Sequence, residues 1–167
     1  MSANPSGRVE RTPQGTAVLV LTRDFTAGVE DVWAAITESD RLARWIGTFS
    51  GDPAAGRVLF RMNAEGEASD QPFDIDECDP PRLLAVTSHA GSGSWRLRLT
   101  LTAIDGGTRL TFSQPDIDPV EAENIGPGWE FYLDRLVAAE TGQDVAAIDF
   151  DRDYYPSMLE YYRGQLA

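Results

Sequence analysis

His89 and Cys78 stand alone in this chain, one histidine and one cysteine in 167 residues, and that scarcity decides most of the chemistry open to it. A zinc site of the Cys/His kind needs several such ligands and cannot be assembled within one chain. A serine or cysteine triad would have to route its proton through His89. That residue lies in TSHAGSGSW at the expected end of a strand, where a solvated turn position accounts for it. Cys78 has no second cysteine for an intrachain disulfide and reads as a small buried or edge residue. All 14 basic residues are arginine, which removes lysine Schiff-base chemistry. The net charge of −13 opposes nucleic acid, whose phosphates are bound by basic patches.

The carboxylates are the remaining candidates. Asp149, Asp151, Asp153 and Glu160 occupy positions 1, 3, 5 and 12 of a calcium-loop spacing. The glycine that the sharp turn needs at position 6 is Tyr154, and the apolar position 8 is Pro156, so no metal is assigned. Acids ahead of a helix N-terminus are the simpler reading. Glu77 is the one catalytic candidate. Period-two counting from Phe73 and Ile75 turns it toward the interior unless the strand bulges, and a buried carboxylate must pair or take up a proton. Arg23, Arg61 or Arg98 would then pair with it in a strand-end ion pair, or it would anchor a polar group of a ligand or serve as an acid/base.

These residues are positioned by elements that the periodicity outlines. TAVLVLTRDF is a strand. Val29, Val32, Trp33 and Ile36 trace one face of a following helix whose first turn carries Glu30 and Asp31. Ser39 or Asp40 caps a second short helix with Leu42, Trp45 and Ile46 on one side. GTFSGDPAAGRVLFRMNAEG reads as two strands with Val58, Phe60 and Met62 facing one way and Arg57 and Arg61 the other. QPFDIDEC and RLLAVTS pair antiparallel around Asp79-Pro80-Pro81. The clearest alternation is SWRLRLTLTAI, with Trp95, Leu97, Leu99 and Leu101 against Arg96, Arg98, Thr100 and Thr102. TRLTFSQ adds Leu110 and Phe112 to the apolar side.

After Pro115 the period becomes helical. Trp129, Leu133, Leu136 and Glu140 form a stripe flanked by Tyr132 and Val137, and Gly142 ends the helix. Gly126-Pro127-Gly128 either opens this helix, with Pro127 at its first position, or kinks a longer one that begins near Asp118. Residues 1–14 are expected as a flexible N-terminal arm, 15–142 as the folded domain, and 143–167 as a C-terminal extension. The extension's short helix packs onto the domain through Leu159, Tyr162 and Leu166.

The plan is α+β, a curved antiparallel sheet of about six or seven strands wrapped round a long C-terminal helix, with two short helices after the first strand. Trp45, Phe60, Met62, Phe73, Trp95, Leu97 and Phe112 would then face Trp129 and Leu133 across a gap. These nine are the expected ligand-binding residues.

RDFTAGVEDVWAAIT, DRLARWIG, IDECDPPRLLAVT and GPGWEFYLDRL, in that order, resemble the AHSA-type domains, named for the activator of a heat-shock chaperone ATPase, in the START/Bet v 1-like (SRPBCC) superfamily. The resemblance covers about residues 16–142. It implies a helix-grip fold with a deep apolar cavity. Members bind lipids, sterols or polyketides, catalyse cyclisations or act as co-chaperones, and no shared catalytic set is carried over.

The expected function is binding of an apolar or amphipathic small molecule, lipid-like or polyketide-like, as carrier or sensor, with no cofactor and no metal. The alternatives are a polyketide cyclase or hydrolase using a cavity carboxylate, and a co-chaperone module of the stress response with a chaperone as partner. No nucleic acid and no membrane insertion are expected. The longest apolar run, Ala17 to Leu21, is far too short to span a bilayer. The N-terminus lacks the apolar centre of a signal peptide, so a cytoplasmic monomer or homodimer is expected.

Overall fold

A computed structural model describes residues 4–63, 70–90 and 93–165. One antiparallel sheet of eight strands dominates it: β1 (Arg8–Arg11), β2 (Ala17–Phe25), β3 (Gly47–Ser50), β4 (Arg57–Met62), β5 (Gln71–Asp79), β6 (Leu83–Ala90), β7 (Gly93–Ile104) and β8 (Gly107–Ile117). Their order is β1-β2-β8-β7-β6-β5-β4-β3. The last six, β3 to β8, are a simple meander, whereas β2 crosses to lie beside β8. Asp105-Gly106 makes the β7–β8 hairpin, with Gly106 at φ 82° where a glycine is favoured.

The first strand is a difference from the sequence reading. Residues 8–11 pair with Leu19, Val20 and their neighbours in β2 instead of forming part of a flexible arm. The short polar segment conceals only one inward residue, Val9, which is 8 % exposed. A four-residue strand with a single apolar position has almost no periodicity to detect.

Helix α1 (Val29–Thr37) buries Val32, Ala35 and Ile36 against β7 and β8. Helix α2 (Ser39–Leu42) begins one residue after the Glu38 cap. Ser39 therefore does not cap it, and its hydroxyl instead accepts from the Phe49 N–H in β3. The long helix α3 (Ala122–Glu140) carries Pro127 inside it and follows a 3-10 turn over Pro119–Glu121 that is capped by Asp118. Pro127 therefore lies inside a longer helix, which begins at Ala122 after the 3-10 turn, and does not open it. A proline six residues into a helix removes only one hydrogen-bond donor, and packing offsets that loss here.

α3 lies over β2, and α5 (Leu159–Gly164) lies over α3. Gly126 is where they cross: a Cβ there would sit 2.5 Å from the Tyr162 ring. The short α4 (Phe150–Asp153) is capped by Asp149, which accepts from the Arg152 N–H at 2.9 Å, and Asp153 pairs with Arg152. Two carboxylates of the calcium-like spacing, Asp149 and Asp153, are therefore occupied in capping and ion pairing. Leu166 lies outside the described residues. No helix among the described residues is long and apolar enough to cross a membrane.

Phe112, Leu19, Leu21, Leu110, Leu133, Leu136, Met158 and Tyr162 are all less than 2 % exposed and form the densest part of the core. Each such side chain contributes about 1.5–3 kcal/mol through burial. The C-terminal extension therefore supplies core residues of its own.

Candidate functional site

Residues paired directly across an antiparallel ladder share a face, so the register lays out the inner surface of the sheet in rows. The first row is Leu21, Phe112, Leu99, Leu84 and Cys78. The second runs from Leu19 and Gln114 on one side to Leu97, Val86 and Ile75 on the other. The third is Trp95, Ser88, Phe73 and Val58. Helix α3 covers the β2 side of these rows, and cover thins toward β5 and β6. Leu21 and Phe112 are 1 % exposed, Leu84, Val86, Ile75 and Phe73 are half-buried, and Trp95 is 46 % exposed. The inner face is thus largely apolar, buried under α3 and again at Val58 and Phe60 of β4, and most exposed at Trp95 near the start of β7.

The nine expected ligand-binding residues divide along this gradient. At the sealed side, Phe112 meets Trp129 with ring centroids 4.4 Å apart, beside the fully buried Leu133. Leu97 is buried in the second row. Trp45 is also buried, but its indole Nε1 donates to the Ala35 carbonyl of α1 at 3.0 Å, which ties it to the helices. Phe60 stacks on Phe73 at 4.9 Å, and Met62 next to them is half-buried. Trp95 occupies the open end.

Two polar residues that the sequence reading did not single out interrupt the apolar rows. Ser88 is 7 % exposed and sits between Phe73 and Trp95. Gln114 is 2 % exposed, and its Oε1 accepts from Trp129 Nε1 at 2.8 Å. Both were detectable by continuing the alternation: Leu84, Val86, Ser88 in one strand and Leu110, Phe112, Gln114 in the other.

Glu77 does not join the inner-face rows. β5 bulges at Asp76, and the register steps from Ile75 opposite Val86 to Glu77 opposite Ala85. The extra residue reverses the alternation. It puts Glu77 on the exposed outer face with Arg98, and exposed Cys78 takes the inner position. The outer face is ionic. Asp74 accepts from Arg57 Nε at 2.5 Å and lies 2.8 Å from His89 Nε2, and these contacts, Arg57 first, hold its carboxyl down at about 2. His89 is consequently a half-buried strand residue and not a turn residue.

The residue after Trp129 in α3 is another buried polar group, Glu130, which is 0 % exposed. Its carboxylate accepts from the Ser6 N–H and hydroxyl at 2.5 and 2.7 Å, the Gly7 N–H at 3.3 Å, Arg23 Nη2 at 3.0 Å and the Tyr162 hydroxyl at 2.9 Å. Arg23 also pairs with Asp134, which accepts from Tyr154. Burial pushes the Tyr162 and Tyr154 hydroxyls up, helped by Glu130 and Asp134 respectively. Burial pulls Arg23 down, but Asp134 and Glu130 outweigh it and leave its pKa raised. This network joins both chain ends to α3 and satisfies every group in it that is named here. Two solvent-open depressions, one beside Gly28 and Pro81 and one beside Ser6 and Asp134, lie away from the inner-face rows.

Residues 26–140 match the family model described as activator of Hsp90 ATPase homolog 1-like protein. Among solved structures, CalU16 from Micromonospora echinospora is similar with 22 % identity and a TM-score of 0.66, covering 97 % of this chain and 92 % of that one. A conserved protein of unknown function from Enterococcus faecalis, EF2215, is similar with 20 % identity and a TM-score of 0.68 over 97 % and 90 % of the two chains. DynU16, a protein in the dynemicin biosynthetic locus, is similar with 22 % identity and a TM-score of 0.64, over 77 % of this chain and 49 % of that one. No curated protein matches the sequence.

Proposed function

Because the chain belongs to the activator of Hsp90 ATPase homolog 1-like family and has its helix-grip fold, we propose that it binds an apolar or amphipathic small molecule between the sheet and α3, as a carrier or sensor. The observation that carries this reading is the gradient along one apolar surface, from Phe112 at 1 % to Trp95 at 46 % exposure. A large aromatic ring left uncovered at the end of a mainly apolar face is a surface that association can still bury. The biosynthetic setting of DynU16 supports a small-molecule ligand. Glu77 on the outer face favours carriage or sensing over acid/base turnover at that residue.

Native mass spectrometry of the purified protein after exposure to a lipid and polyketide extract tests this. Retained mass that is lost on Trp129→Ala or Phe112→Ala supports the inner face as the site. A protein that retains nothing, but stimulates a chaperone ATPase, would move the assignment to protein interaction.

A further inference from the structure

Ser6, Gly7 and Arg23, which bond to the Glu130 carboxylate, precede the family-matched span of residues 26–140, and Tyr162, which also bonds to it, follows that span. An acid on the matched helix α3 is thus answered from the segments on either side of the match. Those two segments also bond to each other. The Val9 N–H donates to Gln165 Oε1 at 2.7 Å, and the Gly7 carbonyl accepts from Gln165 Nε2 at 2.9 Å and from the Tyr161 hydroxyl at 2.8 Å. The Gln165 amide therefore engages the backbone at β1, the strand at one edge of the sheet, as both donor and acceptor.

Tyr162 is wedged where the segments meet. A Cβ on Gly7 would stand 2.2 Å from its hydroxyl and one on Gly126 2.5 Å from its ring, so a side chain that is 0 % exposed needs bare backbone on both sides. It is the one buried residue of α5, and Val9 is the one buried residue of β1. A six-residue helix does not hold itself together, and one buried side chain does not offset the entropy of ordering a whole segment. Each segment therefore depends on the bonds the other makes. Met158, the residue before α5, is different: it is 1 % exposed and belongs to the core.

We infer that residues 4–11 and α5 form one clasp over α3 that opens and closes as a unit. Displacing the N-terminal segment releases α5, displacing α5 releases the N-terminal segment, and the break stops at Met158. Opening uncovers the stripe of Gly126, Glu130 and Asp134, spaced four residues apart along one face of α3. Arg23 stays with Glu130 and Asp134 from β2, so neither acid is left without a cation. An effector that captured either segment would uncover this stripe, which makes the clasp a regulatory device. It does not involve the inner-face rows and holds whether or not a small molecule binds there.

Hydrogen exchange of the full chain, read by NMR at single amides, tests the coupling with two variants that each leave the far segment untouched. Ser6→Pro removes the Ser6 N–H and hydroxyl from Glu130 and is expected to speed exchange of the Tyr162 amide, which bonds to the Met158 carbonyl, about tenfold. Gln165→Ala is expected to speed exchange of the Ser6 and Gly7 amides, which bond to Glu130 and not to Gln165, by a similar factor, because coupling is reciprocal. The Met158 amide, α3 and β7–β8 should keep their rates in both variants. Unchanged exchange at Tyr162 in Ser6→Pro, or at Ser6 and Gly7 in Gln165→Ala, would mean that the segments dock independently and would overturn the clasp. Faster exchange by one factor throughout the chain would also overturn it, since the opening would then be global.

Discussion

Glu130 and Gln114 are almost equally buried, at 0 % and 2 % exposure, and both belong to the packing of α3, Glu130 as one of its residues and Gln114 through the adjacent Trp129, but their surroundings differ in kind. Glu130 receives donors from the N-terminal segment, β2 and α5, so a charge that would be costly in isolation is held by a complete set of partners. Gln114 accepts from Trp129 Nε1, a neutral hydrogen bond in otherwise apolar surroundings. The Glu130 network ties the N-terminal segment and β2 to α3 and α5, whereas the Gln114 side leads along the inner face to the uncovered ring of Trp95.

The contrast can be broken most forcefully at its closed side. Glu130→Leu leaves the Arg23 guanidinium and the Tyr162 hydroxyl facing an apolar group, and should cost about 3–5 kcal/mol in urea-induced unfolding. Gly126→Ala pushes a methyl into the Tyr162 ring and should cost about 1–3 kcal/mol by the same measurement, because α5 must shift or α3 must bend. Tyr162→Phe removes one donor from Glu130 while keeping the ring, and a loss of about 1–2 kcal/mol is expected.

At the open side the order of effects reverses. Trp95→Ala should change stability by no more than about 0.5 kcal/mol, since the ring is largely in solvent, but should weaken ligand retention about fivefold. A stability loss as large as that of Glu130→Leu would mean that Trp95 is core and would collapse the distinction.

The smallest effect belongs to the outer face. The Asp74 carboxyl, held at about 2 against an ordinary 3.8, stabilises the fold above the ordinary value and loses that contribution as pH falls through about 2. Arg57→Ala should raise the Asp74 pKa in an NMR titration and narrow that acid window, with ligand retention unchanged.

Much of this was legible residue by residue. The alternation in β7 placed Leu97 and Leu99 inward because each alternate side chain in a strand must share a face, and the helical stripe of Trp129, Leu133 and Leu136 placed α3 on the core for the equivalent reason. Glu77 was misplaced because a bulge is a property of two strands together. Asp76 has no sequence mark that distinguishes it from a regular strand residue, yet one unpaired position reverses the facing of all that follow. Glu130 escaped notice because its burial comes from residues more than a hundred positions away, Ser6, Gly7 and Arg23, which the local pattern of α3 cannot register.

By itself, then, the sequence determined the class of fold, the order of most elements, the apolar faces, and the removal of lysine, intrachain disulfide and Cys/His metal chemistry. Those follow from composition and from periodicities that are local. Only the tertiary structure decided which apolar residues are sealed and which form an opening, which buried polar groups are answered and which are not, and where β5 changes face. Each of these depends on contacts between distant segments, and burial, register and hydrogen-bond completeness are defined only once those segments have met.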